Sequence, residues 1–469
     1  MEPKLPPSQK PNLIGGHFRR FRKDPTGFLT TQSKLGDVSF FRMGSQPAYF
    51  LNHPDLVRDL FVVNAHKFMK GRALQRAKNL LGEGLLTSEG EFHLRQRRMI
   101  QPAFHRTRIA EYAASMVDFA ERMSESWNDG DERDIDKEMM HLTLQIVGKT
   151  LFSANVEDDA DAVGGAMTAV SKLFDFLLLP YSEWLQKLPL PQTRRFNQAR
   201  ATLNSVIYGI INDRRRSGKD TGDLLSMLLM ARDEDDGRAM SDEQIRDEAL
   251  TLFLAGHETT SNALTFTWYL LSQNPEKAEK MRAELDRVLS TIGKDGVIEP
   301  EQTRRSEIRD PQSGGVRPPT IDDLPNLKYT EAVLAESMRL YPPAWAVGRL
   351  ALEEHAFGGY NVPQGALVLV SPFVAGRDPR FWEKADEFIP ERWLTQSVKE
   401  AGQKNIYFPF GGGVRRCIGE SFAWAEGTLL LAAIARKWRL ELAPEQKIGL
   451  QPMITLRPKY GMRMRIESR

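Results

Sequence analysis

Cys417 is the one cysteine in 469 residues. Three glycines, Gly411 to Gly413, and two arginines, Arg415 and Arg416, precede it, and a helical pattern follows. Glycines let a backbone turn tightly or approach something flat very closely. A helix N-terminus, with its unpaired N–H groups and its dipole, favours an anion, so the position stabilises a thiolate. A thiolate held in this way can be a nucleophile or a metal ligand. The plain alternative is a buried structural cysteine, the commoner fate of a lone one. A cysteine hydrolase would want a histidine partner, and the sequence alone sets none of the 8 histidines beside Cys417. One cysteine excludes an intramolecular disulfide, a zinc site of several thiolates and a cysteine-ligated iron–sulfur cluster.

A second group with chemical capacity is Ala255-Gly256-His257-Glu258-Thr259-Thr260, set in an apolar helical stretch. A glycine inside a helix costs roughly 1 kcal/mol against alanine. His257, Glu258 and the two threonines need partners or a purpose there. Thr259 bonding back to a carbonyl one turn earlier would bend the helix, but this leaves the gap at Ala255 and Gly256 unexplained. A third group is Glu336 and Arg339, three apart on one helix face and able to pair. On a solvated surface that pair would be worth a few tenths of a kcal/mol.

These groups need elements to position them. Ser241 followed by Gln244 is a capping box, and it opens a helix that should run to Asn274-Pro275. About 30 residues at 1.5 Å each make it roughly 45 Å long, enough to cross a domain. Its middle is apolar nearly all round, so it should be buried. Ser88 followed by Glu91 reads as another capping box, opening a helix through Phe92–Ile100. A helix carrying Leu327, Leu334, Met338 and Tyr341 on one face should end at Pro342-Pro343, and another should span about Ile418 to Trp438. DVSFFRM and AYFLN read as a hairpin around Gly44-Ser45-Gln46-Pro47, within a small β-rich part at about 35–55. GGYNVPQGALVLVSPF reads as a second hairpin around Pro363-Gln364-Gly365, and ITLRPKYGMRMRIE alternates like strands. Residues 291–319 read as a polar surface insertion. The fold class expected is mainly α with small peripheral β-sheets, as one domain over 1–469.

Hydrophobic residues are 41% and charged residues 27%, an ordinary soluble composition. The 64 basic and 62 acidic residues leave a net charge of +2, so nothing global points to nucleic acid or an anionic membrane. The N-terminus has no apolar run to serve as a signal peptide or membrane anchor. A reducing, cytoplasmic setting follows from the cysteine usage.

Phe410-x-x-Gly413-x-Arg415-x-Cys417-x-Gly419 resembles the haem-binding signature of the cytochrome P-450 superfamily, the haem-thiolate monooxygenases. The family's other motifs are matched in order. Ala255–Thr260 resembles its oxygen-binding segment, Glu336-Ser337-Met338-Arg339 its Glu-x-x-Arg, and Pro390-Glu391-Arg392-Trp393 its Pro-Glu-Arg-Phe segment. The resemblance covers roughly residues 10 to 465 and implies a cytochrome P-450-like haem-thiolate fold with haem b as cofactor. It implies Cys417 as iron ligand, with Phe410, Gly413 and Gly419 shaping the loop, and a structural triad of Glu336, Arg339 and Arg392. Ala255 and Gly256 would open a groove for dioxygen, Thr259 would supply a hydroxyl there, and Glu258 would relay protons from solvent. Breaking the O–O bond to release water needs two protons in order, so an acid beside an alcohol suits that chemistry. The thiolate pushes electron density toward the same cleavage.

Ferric iron, the porphyrin dianion and one thiolate sum to zero, which leaves two propionates needing cationic or hydrogen-bonding partners. The family positions match His93, Arg97, Arg349 and Arg415. Most relatives carry tryptophan where His93 stands, and histidine keeps hydrogen bonding available. Arg95, Arg98, Arg106 and Arg416 are candidates for a basic docking face. No reductase domain is fused, so electrons would come from a ferredoxin or flavodoxin with its NAD(P)H-dependent reductase, acidic if that face is used. The implied reaction inserts one atom of dioxygen into a hydrophobic small molecule such as a fatty acid, terpenoid or steroid. Family analogy sets the substrate pocket near Lys70–Gly84 and Leu173–Leu190, with Phe253, Ala255 and Ala344-Trp345-Ala346-Val347. Two rivals remain: a haem-thiolate peroxygenase, isomerase or dehydratase, which commonly lacks the acid–threonine pair, and a non-catalytic haem-binding sensor or carrier.

Overall fold

A computed structural model of the chain describes residues 5–12, 15–153, 188, 190–232, 237–290 and 316–469. The principal helices are α1 (Arg72–Leu81), α2 (Gly90–Ile100), α3 (Arg106–Glu125), α4 (Ile135–Phe152), α5 (Pro191–Ser217), α6 (Asp242–Gln273), α7 (Pro275–Leu289), α8 (Lys328–Leu340) and α9 (Glu420–Ala435). The twelve strands among the described residues are β1 (Val38–Met43), β2 (Gln46–Leu51), β3 (Phe68–Lys70), β4 (Glu132–Asp134), β5 (Val347–Ala351) and β6 (His355–Phe357), then β7 (Tyr360–Val362), β8 (Leu367–Val370), β9 (Trp438–Leu442), β10 (Leu450–Pro452), β11 (Leu456–Pro458) and β12 (Arg463–Ser468).

Helix α6 is the axis of the molecule. Ser241 accepts from Gln244 N and Gln244 reaches back to Ser241 N, so both halves of the expected capping box form. It spans 32 residues and ends at Asn274, where Pro275 starts α7. Its middle is buried by α4, α8 and α9 around it. Close approach to α4 depends on Gly256, because a Cβ there would stand 2.9 Å from Val147 Cγ2. Thr143 donates to the His257 carbonyl at 2.9 Å, and Ser261 reaches Met140 Sδ at 3.6 Å. Met140, Thr143 and Val147 thus form the stripe of α4 that faces α6, at the spacing a helix face requires.

The expected first hairpin is β1–β2, in antiparallel register from Val38↔Leu51 to Met43↔Gln46. Its sheet reaches far beyond residues 35–55, in the order β1-β2-β8-β5-β3, so strands from both ends of the sequence share one layer. The second expected hairpin is corrected. β7 turns back through Gly358 and Gly359 onto β6, while β8 leaves it to pair parallel with β2 and antiparallel with β5. β8 is fully apolar and mostly buried, so a central place between two strands hides more of it than a hairpin would. The tail forms strands as expected, with β12 between β4 and β9 and β10 against β11.

Two helix starts also differ from expectation. The residue before α2 is Glu89, with no side-chain cap, and Ser88 turns its hydroxyl to His93 Nδ1 at 3.4 Å. Helix α9 begins at Glu420 and ends at Ala435, and Trp438 belongs to β9. Residues 173–187 and 189 of the expected pocket segment, and most of the 291–319 insertion, lie outside the described residues. No helix among the described residues is long and apolar enough to cross a membrane.

Candidate active site

The cysteine loop is closed by its own backbone: Cys417 N–H donates to the Phe410 carbonyl at 2.9 Å. Gly413 has φ +62, and a side chain there would run into the Phe61 carbonyl, so only glycine fits. The Phe410 ring packs on Trp424 of α9 at 5.8 Å, and Gly419 is the residue before that helix. Cys417 is surface-accessible yet densely surrounded by protein, as a residue on the floor of a recess is. That crowding raises the thiol pKa, against the Gly419 N–H and the Arg97 and Arg416 guanidiniums, which lower it. The expectation that the loop alone stabilises a thiolate is therefore corrected: desolvation outweighs the donors, and a bound cation is what would hold the sulfur ionised. No histidine hydrogen-bonds Cys417 among the described residues, so the base that a cysteine hydrolase requires is not in place.

Beside this loop lies an excess of buried positive charge. Lys70 and Arg349 are directly opposite one another across β3 and β5, and both are 8% exposed. Like charges so placed repel. Burial first, then Arg349 and Arg415, pushes Lys70 down to about 7, and burial with Arg415 brings Arg349 down to about 10. Arg415 donates to the Ser88 carbonyl at 2.8 Å and pairs with Glu89, whose carboxylate also accepts from Lys70 N at 2.6 Å. Arg97 reaches across to the Arg416 carbonyl at 2.8 Å. His93 is buried, and its Nε2 has no hydrogen-bond partner. Burial, Arg415 and Lys70 hold His93 near 3, so the ring is neutral.

Arg349, Arg415 and Lys70 share one carboxylate, Glu89, with Arg97 adding a further positive charge beside them, and a neutral imidazole has an N–H to give. This donor set fits a group bringing two further negative charges next to a cysteine-bound metal, as the propionates of haem would. His93, Arg97, Arg349 and Arg415 are thereby brought together. Lys70 belongs with them although no motif marks it, since its place follows from a strand pairing with residues far away in sequence.

On α6, Ala255 is exposed although the turns before and after it are buried. Thr259 donates to the Ala255 carbonyl at 2.7 Å, the back-bond of a helical threonine. Gly256, by contrast, is accounted for by the packing of Val147, so the open space on this helix belongs to Ala255. His257 sits in the core with Nδ1 on the Phe253 carbonyl at 2.9 Å. Glu258 is also buried, with Arg457 gripping its carboxylate at 2.8 and 2.7 Å and the Thr455 hydroxyl donating to it. Burial alone would raise the Glu258 pKa, but these donors hold it below the usual carboxylate range.

The Glu336–Arg339–Arg392 triad is assembled in full. Arg339 grips Glu336 at 2.9 and 2.8 Å, Arg392 Nε donates to it at 3.0 Å, and Trp393 Nε1 and Ile389 N also donate. Arg339 then spans to the carbonyls of Gly376, Ala385 and Glu387, which ties α8 to the coil leading to the cysteine loop.

The pocket residues are placed less uniformly. Phe253 is 1% exposed, packed on Phe152 and His257, and Trp345 is 7% exposed with its indole N–H on the Met453 carbonyl. Both are buried, which suits core packing and the wall of an enclosed pocket alike. Val347 and Ala255 keep accessible surface. Near Gly84 the chain is pinned to α6, with Glu83 N on Asp247 at 2.8 Å and Leu85 N on Glu248 at 2.9 Å.

The family model for cytochrome P450 matches residues 6–462. The chain is 38% identical to cyclooctatin synthase of Streptomyces melanosporofaciens, over 94% of this chain and 91% of that protein. It is 36% identical to cyclooctat-9-en-7-ol 5-monooxygenase of the same organism, over 92% and 88%, respectively. To pentalenene oxygenase of Streptomyces avermitilis it is 33% identical, over 97% and 96%. With the matching family model across nearly its whole length and the thiol loop, cationic edge and buried triad described above, the chain belongs to the cytochrome P450 family.

Proposed function

We propose that this cytochrome P450 oxygenates a terpenoid, using electrons delivered from NAD(P)H by a separate ferredoxin or flavodoxin. The observation that carries the substrate class is the similarity over nearly the full chain to relatives named for cyclooctat-9-en-7-ol and pentalenene. The family binds haem b through a cysteine thiolate, and Cys417 is the one cysteine available. When bound, the haem supplies the activation of dioxygen, which the thiolate favours by donating electron density.

The chain's own residues do the rest. Arg97, Arg349, Arg415 and Lys70 would hold and neutralise the propionates, and the neutral His93 would donate a hydrogen bond to them, fixing the cofactor's orientation. Ala255 leaves room for a small molecule against α6. Thr259 moves a proton at Oγ1: its hydrogen rests on the Ala255 carbonyl, and its lone pairs stay free to accept from a donor behind it. Glu258 is the acid that recharges this hydroxyl from solvent, once it leaves Arg457. Proton supply by an ordered acid and alcohol is what oxygen scission to water requires, and this pair favours a monooxygenase over a peroxygenase, an isomerase or a haem sensor. Cytoplasmic residence suits a chain whose one cysteine serves a metal.

The test uses the purified haem-loaded enzyme, with cyclooctat-9-en-7-ol and pentalenene as probes. A shift of the Soret band on titration, then a product one oxygen atom heavier when ferredoxin, reductase and NAD(P)H are added, is the expected result. Turnover of fatty acids with neither terpenoid bound would overturn the substrate class. Product formed from peroxide but never from NAD(P)H would overturn the monooxygenase reading.

A further inference from the structure

The clamp on Glu258 has two parts of different chemistry. Arg457 supplies charge, and Thr455 supplies a hydroxyl. Asn262 stands one turn after Glu258 on α6, on the same helix face. Both side chains meet Thr455, in the turn between β10 and β11. Thr455 Oγ1 accepts from Asn262 Nδ2 at 3.1 Å and donates to Glu258 Oε1. All three residues are buried, Asn262 completely.

The turn itself is fixed. Met453 N donates to the Thr455 carbonyl at 3.0 Å, Trp345 Nε1 to the Met453 carbonyl at 3.0 Å and Leu456 N to the Pro343 carbonyl at 2.9 Å. With its backbone held, Thr455 keeps its hydroxyl between Glu258 and Asn262, and the direction of its hydrogen is what can change. A hydroxyl both donates and accepts, whereas an amide presents a donor on one side and an acceptor on the other. Asn262 Oδ1 is buried and has no partner among the described residues, so no bond on that side opposes turning the amide over. An acid that takes up and passes on protons has opposite needs in its two forms. Ionised, it only accepts; protonated, it has a hydrogen to donate. In a buried place a bond lost in either form is costly.

We infer that Thr455 and Asn262 are positioning residues for proton delivery: they form a reversible hydrogen-bond chain that serves both protonation states of Glu258. This rests on the role proposed above for Glu258. With Glu258 ionised, the Asn262 N–H donates to Thr455 and the Thr455 O–H donates to Glu258. When Glu258 takes a proton from solvent, its O–H donates to Thr455 Oγ1, the threonine hydrogen swings to Asn262, and the amide turns over to present Oδ1. The neutral acid has lost the charge that tied it to Arg457 and keeps its place through Thr455. Handing the proton to Thr259 leaves a carboxylate again, and the chain reverts. Thr455 and Asn262 begin and end with the hydrogens they had, so no proton is lost from the route.

The experiment needs no substrate. Haem-loaded enzyme receives NADPH with ferredoxin and reductase in excess, and NADPH consumption is timed in light and heavy water. Slower proton delivery lowers the rate and raises its solvent isotope effect. Thr455→Val, which keeps the shape without the hydroxyl, should be several-fold slower with a larger isotope effect, and Thr455→Ser should restore both. Asn262→Leu should shift both in the same direction as Thr455→Val. A Thr455→Val rate at or above that of the wild type, or a slower rate with the wild-type isotope effect, overturns the inference. If Thr455→Val is slow with a raised isotope effect but Asn262→Leu behaves as wild type, Thr455 is a fixed donor and the reversal is overturned. Glu258→Gln separates the two readings. If it behaves as wild type, the proposed role of Glu258 fails; if it is slow with a raised isotope effect while Thr455→Val is not, only the Thr455–Asn262 chain is overturned. An unchanged melting temperature and carbon monoxide spectrum of Thr455→Val exclude a folding defect; should that variant misfold, Asn262→Leu decides by the same two readouts.

Discussion

Glu336 and Arg339 have no exposed side-chain surface, and each is saturated with partners on segments far away in sequence. Removing one partner of such a pair leaves a buried charge without compensation, which costs about 3–5 kcal/mol. Glu336→Gln should therefore lower unfolding free energy by that amount in urea titration and reduce haem content on purification. A loss below about 1 kcal/mol would return the pair to the value of a surface contact. The helical spacing of the two residues was readable, because pairing at three apart is a local property. What makes the pair strong was not, since burial comes from the coil at 376–393 folding over it. Lys70 shows the same limit. A lysine after two apolar residues reads as a strand end, and only its partner Arg349, across β3–β5, makes it part of a charged edge.

Among the elements, α4 and α6 show how one missing methyl sets a distance. Gly256 has space for hydrogen alone against Val147. Gly256→Ala should overpack this contact and destabilise by about 1–3 kcal/mol, and Val147→Ala in the same chain should recover much of the loss. Additive effects in the double variant, measured by thermal or urea unfolding, would mean that the two residues do not share the contact. Starts and spans of long helices were legible: the Ser241 box and the Asn274-Pro275 stop act locally. Ser88 failed as a cap because Glu89 is needed elsewhere, holding Lys70 N and Arg415. Strand partners were the weak point. β7 and β8 flank a turn-like Pro363-Gln364-Gly365, but β8 is claimed by β2 and β5 from outside the hairpin.

For the molecule as a whole, stability should depend on pH through Glu426. This α9 residue is fully buried beside Thr260, whose hydroxyl is turned to the Gly256 carbonyl, so neither carboxyl oxygen has a donor. Burial pushes it up from 4.5 to about 8. Between those values the unfolded chain releases a proton that the folded chain keeps, so stability falls as pH rises across that window and is unaffected below it. The slope is about 1.4 kcal/mol per pH unit at its steepest. Glu426→Gln is neutral throughout and should lose this slope, gaining on the wild type from pH 5 to pH 8 in urea titrations. Equal slopes for the two would mean that Glu426 is solvated. The shared sheet has a further consequence, for the order of events during synthesis. β1 and β2 can pair as they emerge, but β2 and β3 wait for β8 and β5, which leave the ribosome hundreds of residues later, and closing so long a loop is slow. Lys70 meets Arg349 only at that point, and the thiol follows later still. The nascent chain therefore has no grip on its prosthetic group until translation is nearly over, and a ribosome stalled before residue 417 would carry a chain with helices but without colour.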